Sequence, residues 1–268
     1  MSVPDPVTTG VVIASALQVA KQAQDFIAAA AGHPGESIGT ILGNLGRRRF
    51  DNIEAVGNKA HLILLNIGLT PAEVPLSVLH PLLEAASVQE DSALQDTWAN
   101  LLANAADPRK TTPMAAAFPA MLKELGAREV KFLDALYDAR FPAAGNGNPH
   151  VISGQAFDDD DLRNVYVDAG LTRQPRLAYL TFGDLDRGGA DLTKDIADFN
   201  FSMNVIMRQN ILNQTVVTTP IDLRDILRSD NAGHIPDSIE IRTTERYDFT
   251  EMGGALVKAC RPPDRNKE

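Results

Sequence analysis

Two asparagines four residues apart, Asn100 and Asn104, sit in the run Trp98–Ala105, with Asp96 and Asp107 close to the same helical face. Asparagine is a weak helix former because its amide competes for nearby backbone groups. Two in one helix therefore serve either a ligand or a neighbouring stretch of backbone, and the second use is the commoner. Glu84, Glu90, Asp91 and Asp96 form an acidic group around the same segment. Convergent carboxylate oxygens can hold a divalent cation, but Glu90 has a local use set out below. Asp158, Asp159, Asp160 and Asp161 are a second carboxylate run. They lack the alternating ligands and the glycine of a calcium loop and suit the positive end of a helix dipole. The five histidines, His33, His61, His80, His150 and His234, share no metal-ligand spacing, and there is no nucleophile elbow or glycine-rich phosphate loop. A single cysteine, Cys260, excludes an internal disulfide and any multi-cysteine zinc site. The residues thus assign no catalytic group, no metal ligand and no cofactor, and they give hydrolase or nuclease activity no positive support.

Contact chemistry is better represented. Gly35, Gly39 and Gly43 recur every fourth residue among Ile38, Ile41, Leu42 and Leu45, so one helical face is bare enough for another helix to approach closely. Arg47, Arg48 and Arg49 follow directly. Such a triplet suits a solvated helix edge, or an anionic lipid surface or phosphate. Trp98, Asn100 and Asn104 complete the set of candidate interaction residues.

The chain has 268 residues, with Lys+Arg 25 against Asp+Glu 35 and a formal net charge of -10. An acidic chain repels a phosphate backbone, so nucleic acid is not an expected partner. Hydrophobic and charged fractions of 44% and 22% are those of a folded soluble protein, not of a disordered or integral membrane one. Met1 to Pro6 has no positive charge to open a secretory signal, and Lys21 and Asp25 interrupt the apolar run from Val11. The expected location is the cytoplasm, with attachment at the inner-membrane surface left open.

The elements that must position these residues are mostly helical. Apolar residues fall at helical spacing over Val7–Ala31, Glu36–Leu45 and Phe50–Ile67, and Gly68 is a natural stop. Pro75 opens a helix carrying Leu76, Leu79, Leu82 and Leu83, with Pro81 expected to kink or restart it. Ser87 and Glu90 have the spacing of a capping box for the helix ending at Asp107-Pro108. Met114–Arg140 reads as a helix pair broken at Gly126. Phe157–Ala169 and Asp195–Gln214 read as helices, Ser238–Thr244 as a strand continued by Tyr247-Asp248-Phe249, and Thr250 as the N-cap of a last helix. The fold class is therefore mainly α: a helical region over 1–110 and an α+β module over 111–268 with a winged-helix-like end. That end carries six basic and six acidic residues from Glu240 to Glu268, which fits a protein contact better than a DNA-reading surface.

Pro71 to Pro108 resembles the signature block of the Abi-alpha (abortive infection alpha) family. The residues that carry the likeness are Val74-Pro75, Pro81 to Ser87, Glu90-Asp91, Leu94-Gln95, Trp98 to Ala105 and Asp107-Pro108. The glycine-bearing segment running into the arginines, Phe118, Leu122 and Leu125, and Phe249-Thr250-Glu251-Met252-Gly253 with Cys260 are similar to the family's flanking motifs. Between Phe141 and Asn213 little anchors the resemblance. The likeness implies a bacterial role in defence against phage, with no catalytic residues to carry over. The expected mode is binding and conformational response, through a homo-oligomer or another protein, phage-derived ones included. A membrane-disrupting effector using the N-terminal amphipathic helices, a nuclease-like enzyme whose site forms only in the fold, and a transcriptional regulator are the alternatives.

Overall fold

Helical periodicity and capping residues account for most of the observed elements. In a computed structural model, the described residues are 21, 24–29, 47–110, 114–141, 156–173, 190–220 and 241–263. They form α1 (Arg47–Asn66), α2 (Leu76–Ala86), α3 (Ser92–Ala105), α4 (Phe118–Lys123), α5 (Ala127–Arg140), α6 (Asp159–Asp168), α7 (Ala190–Arg208), β1 (Leu212–Pro220), β2 (Ile241–Phe249) and α8 (Glu251–Ala259). The protein is mainly helical with one small antiparallel sheet near its C-terminal end. A helix, a ribbon and a closing helix in that order are compatible with the winged-helix-like reading. The chain divides into two compact units, Met1–Ala127 with Ala255–Glu268, and Arg128–Gly254. The boundary read at 110 falls inside the first of these.

In the first unit α1 packs along α3, and α2 lies against α3 and α4. Ile53, Val56, Ala60 and Leu64 supply the buried stripe of α1, as their spacing predicts. Leu82 and Leu83 from α2 and Trp98, Leu101 and Leu102 from α3 are all without exposed surface where the two helices pack. Each such side chain contributes roughly 1.5–3 kcal/mol by leaving water. Phe26 and Ile27, from a helical stretch over 24–29, are also buried, and the Phe26 ring meets His61 edge-on at 6.1 Å. Gly68 ends α1 as expected. Its φ of +74° is open to glycine, and Leu69 N–H and Gly68 N–H reach back to Leu64 O and Leu65 O at 3.0 Å each.

One expectation for this unit is corrected and a second is narrowed. The cap of α3 is Asp91, not a Ser87–Glu90 box. Asp91 is extended (φ −74°, ψ 122°), and its carboxylate accepts from Ala93 N–H at 2.8 Å and Leu94 N–H at 3.0 Å. Ser87 still has helical angles as the C-cap of α2, and its hydroxyl donates to Glu84 O at 2.6 Å, away from α3. Of the two outcomes expected at Pro81, a kink or a restart, the restart does not occur, because α2 runs through it from Leu76 to Ala86. Burial of Leu79, Leu82 and Leu83 on both sides of the proline offsets the lost N–H.

In the second unit α6 begins at the aspartate run, as expected. Asp158 and Asp161 form a reciprocal capping box, with Asp161 N–H to Asp158 at 2.9 Å and Asp158 N–H to Asp161 at 3.0 Å. Burial and the adjacent Asp158 push the Asp161 carboxyl above its usual range. Phe132, Tyr166 and Phe199 form an aromatic core, Phe132 and Tyr166 meeting edge-on at 4.9 Å. The helix expected over Asp195–Gln214 starts at Ala190 and ends at Arg208, and Leu212–Pro220 is a strand. Asn210, with φ +53°, turns the chain. The β-branched run Thr215-Val216-Val217-Thr218 then pairs with β2 rather than continuing the helix. Leu212 faces Phe249 and Gln214 faces Tyr247 in that ladder.

Candidate functional site

The residues of the signature block converge at the C-terminal end of α3. Asn104 is 3% exposed. Its Nδ2 donates to Asn100 O at 2.9 Å, to Ala259 O at 2.9 Å and to Arg261 O at 2.6 Å, while its Oδ1 accepts from Lys110 Nζ at 2.5 Å. One amide thus fastens α3 to the last residue of α8 and to the backbone just after it, more than 150 residues away in sequence. Asp107, 4% exposed, takes the fork of Arg109, with Nε at 3.0 Å and Nη2 at 2.8 Å, and also accepts Arg109 N–H at 3.0 Å. Burial works against the charged carboxylate, but the Arg109 bonds outweigh it and hold Asp107 below its ordinary range.

Between these groups lies a recess of about 180 Å³, lined by Val74, Pro75, Asn104, Asp107, Pro108 and Lys110 among others. The N–H of Ala72 donates to Ala106 O at 2.8 Å and holds the extended segment before α2 against the end of α3. This brings the two ends of the signature block, Val74-Pro75 and Asp107-Pro108, to one place. The recess is well below the roughly 300 Å³ at which small-molecule sites begin. It has the size for one or two side-chain groups.

The rest of the signature is used just as locally. Asn52 Nδ2 donates to Ser87 O at 2.9 Å, and Gln95 Nε2 donates to Gln89 O at 2.9 Å, tying α1 to the turn before α3. Lys59 pairs with Asp96 at 2.7 Å. Glu84, Glu90, Asp91 and Asp96 therefore do not gather as cation ligands, and among the described residues no three His, Cys, Asp or Glu side chains are grouped to hold a metal ion.

Trp98 is fully buried in this unit, and its Nε1 meets no acceptor among the described residues. Asn100 is half-buried. Arg48 and Arg49 are exposed in the first turn of α1, where Arg47 begins the helix. Gly35, Gly39 and Gly43 lie outside the described residues.

Three arrangements had no sequence signal. Ser202 Oγ donates to Glu129 Oε1 at 2.6 Å, joining α7 to α5 with both groups buried. The buried Asp195 accepts Arg173 N–H at 3.0 Å. In the closing motif, Thr250 caps α8 as expected, accepting Gly253 N–H at 2.9 Å, and its own N–H and hydroxyl bond Ile211 O and Asn210 O. The surprise is Gly253, whose missing Cβ would fall 2.1 Å from Ile211 O. The glycine and threonine of that motif were visible; what they pack against was not.

Fold and site together define a mainly helical protein whose characteristic residues hold α3 to its surroundings and frame a small recess. Over residues 52–260, well over half its length, the chain matches abortive infection alpha. It belongs to that family. The match takes in the signature block, the stretch from Phe141 to Asn213 and the closing motif to Cys260, and begins after the spaced glycines and the arginine triplet. No curated protein and no solved structure gives a significant match.

Proposed function

We propose that this protein serves abortive-infection defence by binding another protein and responding in conformation, without making or breaking covalent bonds. Membership of the abortive infection alpha family supports the defence role. The observation that carries the mode is the state of the polar groups at the recess. Asn104 is spent on backbone carbonyls, Asp107 is held by Arg109, and Lys110 donates to Asn104. Such a group keeps a shape in place and presents an edge to a partner. The recess itself suits an inserted side chain better than a substrate.

Among the described residues no helix is long and apolar enough to cross a membrane.

The test is a phage challenge of cells expressing the wild type or the charge-reversed rim variant Glu73→Lys/Lys110→Glu, with affinity capture from infected cells. Protection by the wild type, and joint loss of protection and of a captured phage or host protein in the folded variant, support the reading. An unprotected wild-type culture refutes the defence role. Leakage of anionic vesicles caused by the pure protein, or turnover of a nucleotide, refutes the mode.

A further inference from the structure

The β-ribbon has one edge strand built unlike a protected edge. Side chains from Asn213 to Val217 are all exposed, Val216 at 58% and Val217 at 40%, although successive residues point to opposite faces. Among the described residues, the outer part of β1 therefore has a core on neither side and no strand beyond it. β1 carries no charged residue, in a chain of net charge -10. Natural edge strands are commonly guarded by a lysine, an inward charge or a bulge. A two-stranded ribbon is marginal unless further strands or a packed face support it.

The ladder fixes which backbone groups of β1 face outward. On the far side of β2, Phe157 and Tyr247 exchange both N–H to O bonds at 2.7 Å. Tyr247 thus turns its N–H and C=O away from β1, and so does Gln214, which stands opposite it. By the alternation of an antiparallel ladder, Gln214, Val216 and Thr218 present their N–H and C=O groups to the open edge.

We propose that β1 pairs antiparallel with β1 of a second copy of this chain, about a two-fold axis that passes between the two Val216 residues. A second copy is the occupant for two reasons. Two acidic chains repel over most of their surfaces, and β1 is a stretch where no like charges meet. The strand is also centred on an outward-facing residue: Val216 is the midpoint of Leu212–Pro220. Overlap from Gln214 to Thr218, short of Pro220, which has no N–H to offer, then places Val216 opposite Val216 of the second copy, with outward groups facing outward groups in register. Thr215 stands opposite Val217 and Gln214 opposite Thr218, each pair occurring twice. The two ribbons become one four-stranded sheet, and the interface is the same patch on both copies. This pairing is a property of the ribbon and does not depend on the defence role.

The test is sedimentation of the full chain together with cysteine crosslinking in a Cys260→Ser background. The two Val216 α-carbons are expected at about 5.5 Å, the spacing of a hydrogen-bonded pair, which suits a disulfide. Two Val217 α-carbons are offset along the strands beyond the roughly 7 Å a disulfide tolerates. The expected result is a wild-type dimer, oxidative crosslinking of Val216→Cys but not of Val217→Cys, and association weakened by about tenfold or more in Val216→Lys, which sets two like charges face to face. Val216 is exposed in one copy, so these variants fold, and circular dichroism checks it. A monomeric wild type overturns the proposal, leaving the edge to another protein's strand. Equal crosslinking of both cysteines, or a dimer indifferent to Val216→Lys, overturns it as well.

Discussion

Gly253→Ala should destabilise the protein even though alanine is the better helix former. The added Cβ would lie 2.1 Å from Ile211 O and 2.7 Å from Ile211 C and Cα. All three are backbone atoms, so no rotamer change can relieve the clash, and the first turn of α8 must move away from the end of α7. Overpacking of this kind costs about 1–3 kcal/mol. Movement also strains the bond from Thr250 N–H to Ile211 O, now 3.0 Å, and that from the Thr250 hydroxyl to Asn210 O, now 2.8 Å, each worth about 1 kcal/mol. The gain in helix propensity returns about 1 kcal/mol. The balance is a net loss of about 2–3 kcal/mol, or a fall in Tm of roughly 4–12 °C for a chain of this size.

Gly254→Ala is the internal comparison. Its Cβ would meet Phe249 Cβ at 3.8 Å, an ordinary contact. The propensity gain should then stand nearly alone and raise stability by up to about 1 kcal/mol. Urea unfolding of both variants measures the difference. If Gly253→Ala is as stable as Gly254→Ala, the argument that Ile211 excludes a side chain at 253 is wrong.

Asn104→Ala should cost about 2–3 kcal/mol in urea unfolding, because Ala259 O and Arg261 O lose their shared donor; Asn104→Asp should be at least as unstable, since an ionised carboxylate cannot donate to them. Trp98 is the one tryptophan of the chain and is buried, so its emission should be blue in the native state and move red on unfolding. Trp98→Ala should cost about 3–5 kcal/mol, while Trp98→Phe should cost much less, because the indole N–H has no partner to lose. Asp107 has a carboxyl held below its usual range in the fold, so its contribution should be complete above the unfolded value near pH 4 and fade as pH falls through the lowered one. Urea midpoints measured against pH should show the wild type losing more stability on acidification than Asp107→Asn.

Elements whose signals are short-range were legible in the chain. The stripe read from Phe50 to Ile67 needs only a 3.6-residue period; its middle, Ile53, Val56, Ala60 and Leu64, is buried, while Phe50 and Ile67 at its ends are half-buried. Gly68, Asp158 with Asp161, and Thr250 end or begin helices through bonds to residues within a few positions, and each does so in the fold. Errors arose where two local readings were equally good. Ser87 and Asp91 both have side chains able to cap α3, and only the path of the chain out of α2 chooses between them. Ile211 continued the apolar spacing of α7 well enough for the helix to be read on to Gln214, past its end at Arg208 and into the strand. The strand exists because Asn210 turns the chain and β2, arriving from residues 241–249, offers hydrogen bonds.

The candidate site divides the same way. That Asn100 and Asn104 share a face, and that the Gly-containing stretch after Thr250 opens a helix, follow from residue type and spacing alone. Which carbonyls Asn104 would hold, that Asp107 and Val74 would frame one recess, that Ser202 would meet Glu129, and that Ile211 would leave no room for a side chain at 253 came only with the packed chain. Propensity and periodicity act over a turn or two of backbone. Partners brought from more than a hundred residues away are selected by the shape of the whole core, which no short window of sequence contains.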